Sequence, residues 1–124
     1  MKLWLSVGIG GFVGAILRFA VSRGAVALLG ARFPWGTLIV NAGGAFLVGF
    51  LAALFLTRID VGPSLRALLL TGILGGLTTF STFTIETLNL VQGGAAAAGL
   101  ANIALNVGTG LLLVWLGYNL GTLL

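Results

Sequence analysis

The sequence predicts an all-α membrane protein in which a single domain, residues 1–124, contains four transmembrane helices. Only 6% of the residues are charged, and the mean hydropathy is +1.20. A soluble domain of this length needs many more charged residues to cover its surface, so the solvent of this chain is membrane lipid. Four apolar stretches reach the roughly 20 residues that cross a bilayer, and the segments between them are short.

The four predicted spans follow one another without a linker or a soluble appendage. Arg18 lies near the end of the first span, and the second begins after Pro34. The third span is uncharged between Arg66 and Glu86. The predicted spans are, in order, Leu3–Ala20, Trp35–Leu56, a third beginning near Leu65, and Ala95–Leu120; the predicted loops are Ser22–Phe33, Thr57–Ser64 and Gln92–Gly94.

The residue types exclude most catalytic chemistry. The chain has no cysteine and no histidine, and Asp60 and Glu86 are its two acidic residues. Disulfides, thiolate metal sites and histidine-based proton transfer are therefore excluded. The sequence predicts that the protein is not an enzyme.

The basic residues indicate topology rather than nucleic-acid binding, because six scattered charges form no patch. Three fall on each side of the predicted spans, so the positive-inside rule gives no preferred orientation. We expect dual topology and, as its natural product, an antiparallel homodimer. The two sets are Lys2, Arg58 and Arg66, and Arg18, Arg23 and Arg32.

The chain contains 21 glycines, many of them at the spacing that lets helix backbones approach closely in lipid. Glycine is also simply common in membrane helices, which is the alternative explanation for any one pair. Four helices leave little room for a lined pore, so a dimer is the expected functional unit.

The second span contains an amide, that of Asn41, with Thr37 one turn before it on the same face. A buried amide in a membrane needs a partner, and it faces either another helix or a water-filled path. Asn41 is thus either a contact between helices or a donor to water or an anion.

The third span holds a hydroxyl-rich run, with five Ser or Thr residues among the twelve from Gly75 to Glu86. Gly75-Gly76 followed by Thr78-Thr79 is a poor helix interior, which predicts a break in this helix. The carbonyls of Gly75 and Thr78 would suit a small cation such as Na⁺. A tight helix crossing is the alternative explanation of the glycines.

Phe80 and Phe83 lie on one helical face, as do Ser81 and Thr84. Two such rings usually face the core or lipid. Their edges, however, carry partial positive charge, and beside hydroxyl donors they could lead a small anion through weak, serial sites.

Three further features complete the polar pattern. Arg18 either extends to the membrane interface or attracts anions to a vestibule. Glu86 is expected near the mouth of the third helix. In the fourth span, Asn102, Asn106 and Thr109 form an amide–hydroxyl stripe that fits a dimer contact or a pore lining equally well.

Three stretches of the sequence resemble a known family, the small fluoride channels called Fluc or CrcB. The third stretch is highly specific, whereas the glycines alone are not. The stretches are Gly11-Phe12-Val13-Gly14-Ala15-Ile16-Leu17-Arg18-Phe19, Pro34-Trp35-Gly36-Thr37-Leu38-Ile39-Val40-Asn41 and Gly72-Ile73-Leu74-Gly75-Gly76-Leu77-Thr78-Thr79-Phe80-Ser81-Thr82-Phe83-Thr84-Ile85-Glu86-Thr87.

The resemblance implies a dual-topology dimer in the inner membrane of a prokaryote that exports F⁻ passively and prevents fluoride toxicity. It implies two pores, each lined by both subunits, and a structural Na⁺ held at the dimer centre by the carbonyls of Gly75 and Thr78. The implied lining residues are Asn41, Phe80, Phe83, Ser81 and Thr37, and the vestibule or mouth residues are Arg18 and Glu86. Many members have Tyr and Ser along the fourth helix, where this chain has Asn102, Asn106 and Gly110; Asn106 is carried over as a lining residue.

Two other functions compete with a fluoride channel. A proton-coupled small multidrug exporter also has about four spans, but that class needs an acidic residue at the centre of its first helix, and this chain has none there. An assembly subunit that only binds partner helices would not explain a polar third span with two spaced aromatic rings.

Overall fold

A computed structural model describes all 124 residues, and every regular element in it is helical. Four segments are long and apolar enough to cross a membrane: Lys2–Leu29, Trp35–Thr57, Pro63–Gln92 and Ala96–Leu123. The first, second and fourth are single helices, here called α1, α2 and α6. Their order confirms the predicted all-α arrangement of four spans.

Helix α1 is longer than predicted, and the predicted loop Ser22–Phe33 is wrong for most of its length. The helix continues through Leu29 and ends at Gly30, which has a φ of 82°. Nothing between Ser22 and Gly30 stops it, since that stretch has no proline and its one charged residue, Arg23, lies over the Phe19 ring at 5.9 Å. Arg18 is therefore eleven residues before the helix end, about 16 Å along the axis, rather than near it.

The third span is built from several pieces. Helix α3, Pro63–Arg66, leads into a π-helical stretch, Ala67–Leu74, and one further turn, α4, Gly75–Leu77. Thr78 and Thr79 then have extended backbone, with ψ of 154° and 121°, before helix α5 begins. Helix α5 covers Phe80–Gln92, and the Thr79 side chain accepts a hydrogen bond from Thr82 N at its start. We call Thr78 and Thr79 the extended step.

Helices α2 and α6 run parallel and pack along their lengths through glycine. A Cβ atom at Gly117 would clash with the Phe46 carbonyl oxygen and lie 3.0 Å from Phe50 N. Gly49 has the same relation to the backbone of α6, where a Cβ would lie 3.0 Å from Tyr118 N. Close backbone approach of this kind replaces the hydrophobic driving force that lipid removes.

Helix α1 packs in the same way against the first half of the third span. A Cβ at Gly10 would lie 2.8 Å from Gly72 Cα, and one at Gly14 would lie 2.9 Å from Leu77 N. A Cβ at Gly8 or Gly24, on the same helix, would meet nothing within 4 Å. The predicted close packing is confirmed for one glycine face of α1, and Gly8 and Gly24 take no part in it.

Candidate functional site

A largely apolar groove with a few polar groups opens on one side of the protomer where α2, the extended step and α6 meet. Its volume is about 360 Å³, and its lining includes several of the side chains that the sequence singled out. Thr37, Ser81, Arg18 and Glu86 are absent from its lining. The groove is lined by Asn41, Gly44, Ala45, Val48, Thr78, Thr79, Phe80, Phe83, Asn106 and Val107.

Asn41 binds the backbone of the extended step with both ends of its amide. Its Oδ1 accepts from Thr79 N at 2.8 Å, and its Nδ2 donates to the Thr79 carbonyl oxygen at 3.0 Å. Because a backbone N–H can only donate and a carbonyl can only accept, this pair fixes which way the amide points. Nδ2 also donates to Asn106 Oδ1 at 2.9 Å, so both N–H groups of Asn41 are engaged within the chain.

The hydrogen bonds continue from Asn106 into the contact between α6 and α5. Asn106 Nδ2 donates to Asn102 Oδ1 at 2.9 Å, and Asn102 Nδ2 donates to Thr87 Oγ1 at 2.9 Å. The Thr87 hydroxyl donates in turn to the Phe83 carbonyl oxygen at 2.8 Å. We call Asn41, Asn106, Asn102 and Thr87 the amide network.

The two phenylalanines lie together at the groove but differ in exposure. Their ring centroids are 5.5 Å apart with planes tilted by 58°. Phe80 is 76% exposed and Phe83 only 7%. Ser81 is exposed beside them, with its Oγ 3.4 Å from Thr79 Oγ1. Both rings therefore line the groove, whereas Ser81 lies outside its lining.

The extended step changes the partners of two carbonyls. In a continuous helix Thr79 N–H would donate to the Gly75 carbonyl, four residues earlier. It donates to Asn41 instead, so Gly75 loses that partner at an exposed position. The Thr78 carbonyl oxygen is approached by Arg18 Nη1 at 3.5 Å. Arg18 therefore lies at the depth of the extended step, not at a helix end.

A second pocket, of about 320 Å³, lies between the end of α1, the start of α2 and the second half of the third span. We call it the mouth pocket. Thr37 and Glu86 both line it, together with Arg32 and Asn89. Glu86 Oε2 is buried there without a hydrogen-bond partner. The structure thus places Thr37 and Glu86 together but outside the groove.

Thr87 and the central place of Asn102 were missed by the sequence reasoning. The spacing of Asn102 and Asn106 by four residues did reveal a polar stripe on α6. It gave no indication that the stripe meets Asn41 on α2 and Thr87 on α5. Those partners depend on how far the helices are shifted along each other, which the glycine contacts determine.

Comparison with known proteins identifies the family. The profile of a family described as CrcB-like protein, Camphor Resistance (CrcB), matches residues 5–118. The chain belongs to this CrcB family. A CrcB relative from Clostridium perfringens, named fluoride-specific ion channel FluC, is 44% identical over 124 residues, which is all of this chain and 97% of that protein.

Two further CrcB relatives carry the same name. That of Sulfurovum sp. is 52% identical over 105 residues, covering 85% of this chain and 82% of the relative. That of Rhizobium meliloti is 43% identical over 113 residues, covering 91% of this chain and 90% of the relative. These relatives are channels rather than enzymes, in agreement with the composition of this chain. With four helices able to span a bilayer, this CrcB chain is a multi-pass membrane protein.

Proposed function

We propose that this chain is a passive, fluoride-selective channel that exports F⁻ across the inner membrane of a prokaryotic cell and so prevents fluoride toxicity. The observation that carries the proposal is the full-length similarity to proteins named fluoride-specific ion channels. The groove supports it, because rings and uncharged hydrogen-bonding groups line it within a membrane span.

The groove suits an ion that must lose water without being trapped. Fluoride is the smallest and most strongly hydrated halide, so a narrow path must replace its water with many weak donors. Conduction needs sites that the ion can leave as readily as it enters. The edges of Phe80 and Phe83 and the exposed Ser81 hydroxyl supply partial positive charge without a fixed cation.

The side-chain amides of Asn41 and Asn106 are not free to bind an ion, because they already form hydrogen bonds. Asn41 and Asn106 line the path, but their N–H groups already have partners within the chain. A passing F⁻ therefore binds Asn41 by sharing or displacing one of these hydrogen bonds. The cost of that exchange keeps the site shallow, as conduction requires.

A second, oppositely inserted copy would complete the path. The groove is open, and Phe80 leaves 76% of its surface uncovered beside polar groups. Two-fold pairing of identical chains is the commonest closed assembly, and a two-fold axis would generate two equivalent pores. With Arg18 inside the span, three basic residues remain on one side and two on the other, and so small a difference supports opposite insertion of the two copies.

The proposed structural Na⁺ would be held by the carbonyl oxygens of Gly75 and Thr78, two from each copy. Their chemistry fits, because carbonyl oxygens are hard ligands and Gly75 has lost its helical N–H partner to Asn41. When bound, the ion would tie the two extended steps together at the dimer centre. The Arg18 guanidinium, 3.5 Å from the Thr78 oxygen, would have to withdraw toward a vestibule.

The mouth pocket would be the end of the path. Thr37 supplies a hydroxyl at this point, and Glu86 presents an unpartnered carboxyl oxygen. Arg32, on the rim, offers an opposite charge that would attract an anion toward the pocket.

A liposome efflux assay tests the function directly. Vesicles containing the purified protein and loaded with KF or KCl receive valinomycin, and the released halide is measured with an electrode. We expect rapid F⁻ loss, little Cl⁻ loss and no requirement for a pH gradient. Vesicles that retain F⁻ but move protons when a cationic drug is added would support the exporter and refute the channel.

A further inference from the structure

We infer that Asn102 is a positioning residue of the groove: through Asn106 it sets the direction of Asn41, and through Asn41 it holds Thr79 in its extended conformation. The inference rests on the proposed channel function for its effect on ion flow. Its structural part concerns only hydrogen bonds within one chain and stands separately from that function.

Asn102 cannot be a ligand of a passing ion in this arrangement. It is fully buried, with 0% of its surface exposed, and it is absent from the lining of the groove. A buried amide in a membrane is costly unless it is satisfied, and Asn102 accepts at one end and donates at the other. It therefore links groups on either side of it.

The amide network runs in one direction between two backbone groups. Thr79 N–H is the first donor, and each successive side chain accepts from the one before and donates to the next. The Phe83 carbonyl is the last acceptor. A backbone donor at one end and a backbone acceptor at the other leave one orientation for every amide between them.

The two ends of the network lie at backbone groups on either side of Phe80 in the sequence. Thr79 precedes this ring, and Phe83 lies one turn after it, where the Thr87 hydroxyl binds its carbonyl. The network thus connects α5 through α6 to α2 and back to the start of α5. Chains of hydrogen bonds strengthen one another in a region of low dielectric, so loss of a distant member weakens the contact with Thr79.

Thr87 offers the cleanest test, because it has an isosteric variant and a matched control. Thr87→Val removes the hydroxyl that accepts from Asn102, whereas Thr87→Ser retains a hydroxyl. Thr84→Val is the control, since the Thr84 hydroxyl lies on the same helix and also bonds a backbone carbonyl, that of Ser81, but is outside the network. Asn102→Leu is a second variant that removes the link itself at similar volume.

Two measurements are made on each variant. Amide hydrogen exchange at Thr79, followed by NMR in detergent micelles, reports the contact with Asn41 whether or not the protein conducts. The ratio of F⁻ to Cl⁻ efflux from liposomes reports selectivity. We expect Thr87→Val to raise Thr79 exchange and lower the flux ratio, each by up to about tenfold, the limit reached if the distant loss breaks the hydrogen bond between Thr79 and Asn41 completely. Thr87→Ser should restore both values, and Thr84→Val should change neither.

The outcomes separate this inference from the channel proposal. If the unmodified chain does not pass F⁻, the function fails, and the exchange rate still decides the structural part. If the unmodified chain conducts but Thr87→Val and Asn102→Leu leave Thr79 exchange unchanged, the positioning role is refuted. Faster exchange at Thr79 with an unaltered ratio of F⁻ to Cl⁻ efflux would refute the effect of the amide network on selectivity. Should Asn102→Leu fail to fold, Thr87→Val alone decides whether the positioning role holds.

Discussion

The side chain of Asn41 makes the pair of hydrogen bonds to Thr79 that a neighbouring backbone strand would otherwise make. In a bilayer an extended residue needs such a partner, because no water is present to satisfy its N–H and C=O groups. One amide thus stabilises a non-helical step inside a membrane span. Phe80 follows at once, with its ring on the surface of the protomer.

The role of the ring edge can be tested at Phe80 without disturbing the core. Phe80 is 76% exposed, so Phe80→Ile should leave the melting temperature in detergent nearly unchanged. Aromatic contacts contribute about 0.5–1.5 kcal/mol beyond area burial, so F⁻ efflux should slow by between about twofold and tenfold. The matched control is Phe12→Ile, on α1 and 69% exposed but away from the groove. Equal efflux from both variants would remove the Phe80 ring from the mechanism.

At the scale of elements, the third span consists of two helical segments that meet at the extended step. The first segment includes a π-helical stretch, which shifts its last turn relative to a regular helix. The second starts with a side-chain cap, because Thr79 Oγ1 accepts from Thr82 N at 3.2 Å and bonds the Thr82 hydroxyl at 3.0 Å. Thr79 therefore ends one segment and begins the next.

Removal of that cap should destabilise the protein. We expect Thr79→Ala to lower the free energy of unfolding by about 1 kcal/mol, the usual cost of losing an N-cap, and Thr79→Ser to restore most of it. The measurement is thermal unfolding of both variants in the same detergent. Identical melting temperatures for Thr79→Ala and the unmodified chain would show that the cap does not stabilise α5.

The contact between α2 and α6 gives a second prediction about elements. A Cβ at Gly117 meets the backbone of α2, whereas one at Gly108, on the same helix, meets nothing within 4 Å. Gly117→Ala should destabilise the fold by about 1–3 kcal/mol, because the helices must separate. Gly108→Ala should be neutral or stabilise the helix by up to about 1 kcal/mol. Unfolding in detergent measures both, and similar melting temperatures would contradict the packing account.

At the scale of the whole molecule, two of the arginines are held at helix ends. Arg66 Nη2 donates to the Phe55 carbonyl oxygen at 2.9 Å, and Arg58 Nη2 approaches the Thr122 carbonyl at 3.5 Å. Both cations therefore lie near the carboxyl ends of α2 and α6, where the helix dipole favours positive charge. On the opposite side, Arg32 lies in the loop after α1.

Dual topology can be measured simply because the chain has no cysteine of its own. Asp60→Cys and Ala31→Cys place single thiols at exposed positions in the two loops on opposite sides of the bundle. In inverted membrane vesicles, a membrane-impermeant maleimide should label about half of each variant, since the basic charges on the two sides differ by only one. Complete labelling of one variant and none of the other would show a single orientation and exclude the antiparallel dimer.

Much of this arrangement could be predicted from residue order alone. Four apolar stretches predicted four spans, and the bounds of α2 agree to within one residue. The end of α1 was wrong, because Arg23 and Gly24 resemble a loop but are tolerated in the helix until Gly30. The π-helical stretch has no signal in its apolar sequence, Ala67–Leu74.

The sequence could predict which residues belong to the site, but not which of them contact one another. Phe80, Phe83 and Ser81 are close in sequence, so a helical period places them together. Asn41 and Asn106 are 65 residues apart, and their contact depends on the relative shift of α2 and α6. That shift follows from backbone contacts at Gly49 and Gly117, which no periodicity in the sequence encodes.

The amide network also bears on the energy of the cell. Water molecules and hydroxyl groups pass protons along a file by exchanging covalent and hydrogen bonds, and a polar membrane path built from them would leak acid. A carboxamide such as Asn102 or Asn106 can do this only by forming an imidic acid, which is strongly unfavourable. Three consecutive amides between Thr79 and Thr87 therefore interrupt proton transfer along the amide network itself, so this polar contact between helices adds no path by which the proton gradient could discharge.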